Sequence, residues 1–161
     1  ATVEMQPCWT LMAGFDAPLP TDTAYSNTCN APLSVIARET AKPGRTSPGD
    51  GWVIQASADW THSHLELEPA QVIPLLLTAF FETVGCAPVP PAIAMAHRWR
   101  YALPEPLPEP CLFDPRLLIA ACGDWCGGPR VEGAFLSGRA AGAAIVARAA
   151  AAIFSCTPIA T

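Results

Sequence analysis

The segment Cys122 to Gly142, CGDWCGGPRVEGAFLSGRAAG, has the residue types and spacing to hold an oxygen-rich ligand. An apolar run leads into a Gly-Asp step, a turn with two adjacent glycines, and a helical stretch whose opening includes Gly133. The first N–H groups of a helix have no partner within it and sit at the positive end of its dipole, so such a start can take hydroxyl-rich or anionic groups. Gly127 and Gly128 remove side chains that would block the approach, and Pro129 can fix the chain as it turns into the helix. Asp124 is placed to accept from sugar hydroxyls, as a ribose or ribitol chain would offer. Gly133, Ala134, Ser137, Gly138, Ala141 and Gly142 keep one side of the helix small, so backbone can pack close to a sheet or cofactor. The same residues also make an ordinary strand, Gly-rich turn and helix, and residue type alone leaves both readings open.

Other candidates are weaker. His62 and His64 are two apart and would share a face if extended, but no third metal ligand stands near them in sequence. Cys126 lies just ahead of the helix, where a thiolate is favoured, while Cys122 reads as a small apolar residue at a strand end. Arg98 and Arg100 could receive an anion or form an ion-paired strand face. Glu132 opens the helix beside the turn; there the helix dipole stabilises its anion, which suits positioning better than general-base work.

These residues need elements to carry them. CWTLMAGF (Cys8 to Phe15), LSVIAR (Leu33 to Arg38) and WVIQAS (Trp52 to Ser57) read as strands, the last two as antiparallel neighbours joined by the turn-forming KPGRTSPGDG. A helix is predicted from Pro69 to about Val84, with Val72, Ile73, Leu76, Phe80 and Phe81 on its apolar face, Gly85 as its stop, and a kink or later start at Pro74. In AIAMAHRWRYAL (Ala92 to Leu103), alternation puts His97, Trp99 and Tyr101 on one strand face and Arg98 and Arg100 on the other. PEPLPEPCLFDP is an extended connection, Leu117 to Cys122 a strand buried on both faces, and Val131 to about Ala152 a long helix.

Composition narrows the class. Of 161 residues, 51% are hydrophobic and 14% charged, enough to bury a core. The net charge of −5, with basic residues scattered rather than clustered, argues against nucleic acid as a partner. Seven cysteines in an odd, irregular set without C-x-x-C disfavour a disulfide framework or zinc site. The opening ATVEMQPCWT lacks the marks of a secretory signal, so the expectation is a cytoplasmic protein with reduced thiols. Ala140 to Cys156 is free of acids but Ala-rich and broken by Arg148, which disfavours a membrane span.

GDWCGGPRVEGAFLSGRAAGAAI resembles the C-terminal flavin-binding segment of FAD-dependent amine-oxidase-type oxidoreductases, most closely their renalase-like members. Monoamine and polyamine oxidases carry a looser version with an M-E-G-A helix start, where this chain has Val131-Glu132-Gly133-Ala134. KPGR at Lys42 to Arg45, WVIQAS with ADWTHSHLE, and HRWRYALPEP from His97 are similar to the substrate domain of bacterial renalase-like proteins. The resemblance implies an α+β fold: residues 1–116 as a mixed, largely antiparallel substrate-domain sheet with a covering helix, and 117–161 as the closing strand and helix of an FAD-binding Rossmann-type domain. It implies that Asp124 bonds the ribityl or pyrophosphate region of FAD and that the Val131 N–H faces the pyrimidine end of the isoalloxazine. Gly123, Trp125, Arg130, Glu132 and Gly133 belong to the same implied cofactor segment, and Trp99 is implied as a wall of the flavin site. No cysteine matches the covalent flavin-linking segment of monoamine oxidases, so the implied FAD is noncovalent. The implied reaction passes a hydride from a small reduced substrate, a dihydronicotinamide or an amine, to flavin, with reoxidation by molecular oxygen.

One departure is large. The family's dinucleotide-binding G-x-G-x-x-G is nowhere in these 161 residues, so the resemblance covers only a C-terminal half. The missing N-terminal half is expected as a partner, either from the rest of the gene or as another polypeptide, and the isolated chain is expected to be inactive. The alternative is a non-catalytic interaction or scaffold module that no longer binds flavin; a thiol enzyme built on Cys126 stands third.

Overall fold

The computed structural model describes residues 3–28 and 32–154, with side chains through residue 151, so Cys29 and Cys156 lie outside the described residues. Two units divide the chain: Gln6–Ala102, and a second made of Leu103 onward with the residues ahead of Gln6. The Pro-rich connection goes with the second unit.

The first unit is built on a five-stranded sheet of order β2-β3-β4-β1-β5. Its strands are β1 (Met5–Phe15), β2 (Tyr25–Asn27), β3 (Leu33–Arg38), β4 (Asp50–Ala56) and β5 (Ile93–Pro104). β3 and β4 pair antiparallel, as their turn-rich linker predicts, and β4 also pairs antiparallel with β1. Alternation decides which side chains go inward: Trp9, Leu11, Ala13 and Phe15 of β1 and Trp52, Ile54 and Ala56 of β4 are all buried. Where the β1–β4 register begins, at Thr10, the preceding Trp9 N–H bonds instead to buried Thr61 Oγ1 at 3.1 Å. Thr61 belongs to the short helix α1 (Ala58–Ser63), whose N-cap Ser57 accepts from Trp60 N–H.

Helix α2 (Pro69–Val84) covers one face of this sheet. Pro69 starts it, Glu68 and Gln71 exchange capping bonds, and Gly85 ends it at φ 69°, a left-handed conformation that glycine adopts without strain. Val72, Leu76, Ala79, Phe80, Phe81 and Val84 are buried, while Ile73 is only partly so. Phe80 meets Trp52 edge-on at 5.0 Å and stacks near Phe15 at 6.3 Å, an aromatic cluster that fixes helix to sheet. Pro74 neither delays nor ends the helix, correcting the later start considered from the sequence. Apolar spacing on the buried face continues past it, so tertiary packing outweighs one lost N–H.

The C-terminal unit has a small antiparallel hairpin of β6 (Leu112–Asp114) and β7 (Ile119–Ala121), then helix α3 (Val131–Phe154). The predicted doubly buried strand over Leu117 to Cys122 shrinks to three residues and is exposed: Ile119 shows 61% of its surface. The shortening has a local reason. Asp114 Oδ1 accepts from the Arg116 and Leu117 N–H groups at 2.8 and 3.1 Å, turning the chain, and Leu118 sits at φ 55°. Among the described residues no helix is long and apolar enough to cross a membrane.

Candidate functional site

In the C-terminal unit the turn ahead of α3 is tied down at several points. Gly123 N–H donates to buried Ser137 Oγ at 3.2 Å, Cys126 N–H to Gly123 O at 3.0 Å, and Leu107 N–H to Trp125 O at 2.8 Å. Gly127 and Gly128 follow at φ 95° and 115°, outside the range of other residues. Arg130 N–H then closes onto Gly128 O at 2.8 Å, and Ala134 N–H bonds to Arg130 O at 3.0 Å as the helical ladder begins. The N–H groups of Val131, Glu132 and Gly133 precede that ladder, and Val131 is 90% exposed.

Glycine is required in this turn for two further contacts. A Cβ on Gly133 would lie 2.2 Å from Gly128 O, so the helix can start against the turn only without it. A Cβ on Gly123 would lie 2.3 Å from the Trp125 indole nitrogen, so the ring occupies the room that Gly123 leaves. Asp124 is half-buried, with no hydrogen-bond or ion-pair partner among the described residues. Arg130 and Glu132 are exposed. The small side of α3 splits in two. Gly133, Ser137 and Ala141 face inward, whereas Gly138 and Gly142 border open space beside exposed Phe135 and Leu136.

In the sheet unit, β5 alternates as its sequence predicts. Ile93, Met95, His97, Trp99 and Tyr101 stand exposed on the face away from α2, with Trp99 52% and Tyr101 77% exposed. His97 and Trp99 meet edge to face at 4.4 Å. Toward the β4 side the same open face holds a hollow of about 400 Å³, walled by Met12, Val53, Ile93 and Met95. Its floor is the register pair Gly14 and Gly51. Neither glycine belongs to a motif, and the one sequence signal for this floor is an isolated glycine within a strand pattern, which marks close approach of another group.

The alternative sites resolve differently. Arg98 and Arg100 share Glu66, at 3.2 Å and at 2.9 Å respectively, and Arg98 also bonds Leu65 O and lies over the Trp9 ring. Hydrogen bonds from Arg100, with the charges of both arginines, hold the Glu66 carboxyl below its ordinary range. These arginines are therefore the ion-paired face of the strand. His62 bonds Gln6 at 2.8 Å while His64 stacks on Trp60 at 4.0 Å, so the two rings have separate partners. Among the described residues no group of three or more His, Cys, Asp or Glu side chains gathers as for a metal. Cys126 is 1% exposed, packed rather than presented, and Cys122 is the exposed member of the pair. No protein-family model matches the sequence.

Proposed function

We propose that this chain is the C-terminal portion of a renalase-like, amine-oxidase-type FAD-dependent oxidoreductase. The start of α3 carries the reading: first-turn N–H groups at exposed Val131 and Glu132, reached over two glycines at positive φ and following the Asp124 carboxylate, which has no partner among the described residues. These groups fit a flavin nucleotide, which needs an acceptor for ribityl hydroxyls, donors for oxygen atoms, and backbone that it can approach closely. In this reading Asp124 accepts from the ribityl or pyrophosphate region and Val131 N–H donates to the pyrimidine end of the ring. Gly123, Trp125, Arg130, Glu132 and Gly133 shape the turn that holds both. FAD, bound noncovalently, would supply the hydride acceptor for a small reduced substrate, a dihydronicotinamide or an amine, and molecular oxygen would regenerate it.

The chain's own contribution is electrostatic and positional. The α3 dipole at Val131 favours added negative charge at that point. In this reading Trp99 walls the flavin site, and alignment of a C–H bond requires no acid–base pair. The G-x-G-x-x-G half lies outside these residues, and the exposed apolar side of α3, with Phe135 at 64% and Val146 at 67%, supports a covering partner. In this reading β7 and α3 close a Rossmann-type domain in a cytoplasmic enzyme, and the 161-residue chain alone is inactive. The missing fingerprint favours the second reading, a non-catalytic interaction module. The visible absorption spectrum of the purified natural gene product separates them. A yellow protein that releases FAD on denaturation is the expected result; a colourless, folded protein that takes up no added FAD overturns the proposal.

A further inference from the structure

The sheet unit has a second concavity, on the outer side of α2 and unrelated to the turn before α3. It is a groove of about 660 Å³ between the helix, at Leu77, Phe81 and Glu82, and the segment from Cys86 to Pro91. Its floor is fixed, because Phe81 is 5% exposed and packs on Phe15 and Phe80. Its far wall is stiff as well, since Pro88, Pro90 and Pro91 each lock φ and the chain leaves α2 through the left-handed Gly85. A groove built from such parts loses little conformational entropy on binding, and its size suits a small ligand rather than a solvent molecule.

The polar groups define the occupant. Thr78 Oγ1 already bonds Pro74 O at 3.0 Å, and Gly85 N–H is spent on Phe81 O at 3.0 Å. Among the described residues lining the groove, Glu82 carries the only charge, and it has no ion-pair or hydrogen-bond partner among the described residues. We infer that this groove binds a small amphiphilic cation, an apolar body lying against Leu77, Phe81 and the proline wall with a protonated amine at Glu82. The inference stands whether or not the chain belongs to a flavoprotein.

Cys86 lines the groove, half-buried and free, and reports occupancy directly. The test measures the alkylation rate of Cys86 by peptide mass spectrometry on the whole chain, with 4-phenylbutylamine and 4-phenylbutyrate as matched probes of opposite charge. The amine is expected to protect Cys86 saturably, at about two- to five-fold lower concentration than the acid, the yield of an exposed ion pair. Glu82→Gln, at an exposed helix position, is expected to keep the fold by circular dichroism and to erase that difference. Protection by neither probe overturns the inference. So does equal protection by both, which would make the groove a seat for an uncharged apolar segment.

Discussion

Gly14 of β1 and Gly51 of β4 are direct register partners, and together they leave a bare square of backbone on the open face of the sheet. The two positions are not equivalent. A Cβ on Gly14 would come within 2.8 Å of Ile93 Cγ2, whereas one on Gly51 would make an ordinary 3.6 Å contact with Glu39 Cβ. Gly14 thus makes room for a side chain of β5, and Gly51 keeps the hollow open.

Gly51→Ala should therefore raise stability, by about 0.5 to 1 kcal/mol, because glycine in a strand interior costs roughly that much against alanine. Gly14→Ala must push Ile93 aside and should gain less or lose. Urea denaturation of the two variants checks the order, and equal effects would mean that Ile93 imposes nothing on Gly14.

Asp50 is the buried charge on which the long β3–β4 connection closes. It is 2% exposed and accepts from Arg38 Nε and Nη2, both at 2.8 Å, from Leu19 N–H at 2.9 Å and from Thr40 Oγ1 at 2.7 Å. Burial alone would raise its pKa, but these bonds, led by Arg38, outweigh it and hold the carboxyl below its ordinary value. A carboxyl depressed in the fold stabilises fully above the unfolded value of about 3.9, and that stability is lost as pH falls through the folded value. Asp50→Asn should cost about 3 to 5 kcal/mol at pH 7, since Arg38 then stays part-buried without its partner. It should also flatten the acid limb of the stability curve. Denaturant titrations from pH 7 to pH 2 test both, and an unchanged acid limb would remove Asp50 as its source.

The two kinds of glycine in α3 predict opposite outcomes. Gly138 borders open space, so Gly138→Ala should stabilise the helix by up to about 1 kcal/mol. Gly133→Ala has to break the approach of the helix start to Gly128 O, backbone against backbone, and should destabilise the turn. Hydrogen exchange at Arg130 and Ala134 reads this locally, because their N–H groups close the turn and begin the ladder. Faster exchange in Gly133→Ala alone is the expected pattern.

What was legible in the sequence depended on where each residue's partner lies. The β3–β4 pairing, the α2 boundaries and the β5 alternation rest on local period and on Pro, Gly and capping residues, and these appear as predicted. Leu117 to Cys122 has the composition of a buried strand, but composition cannot say whether anything covers it, and here the Asp114 turn and solvent exposure win. The Arg98–Glu66–Arg100 cluster joins residues more than thirty positions apart, and no local pattern announces it. Of the candidate cofactor segment, the glycines at Gly127, Gly128 and Gly133 were readable because turn geometry requires them, whereas the Trp125 ring against Gly123 emerges only in three dimensions.

Trp99 and Asp124 separate the flavin reading from a purely structural one. Trp99 is half exposed on an open face and Asp124 has no partner among the described residues, so neither side chain owes its place to the core. Asp124→Ala should shift stability by no more than about 0.5 kcal/mol, as surface changes away from packed features do. Trp99→Ala also loses the edge-to-face contact with His97 and should cost about 0.5 to 1.5 kcal/mol. In the natural gene product, Asp124→Ala should weaken retention of FAD through dialysis, and Trp99→Ala should alter the flavin absorption band or substrate turnover. If Trp99→Ala instead costs more stability than that contact and leaves the spectrum unchanged, the ring is packing the sheet. If Asp124→Ala retains FAD like the parent protein, the carboxylate lies outside the cofactor site and the turn before α3 has to hold the nucleotide through its backbone alone.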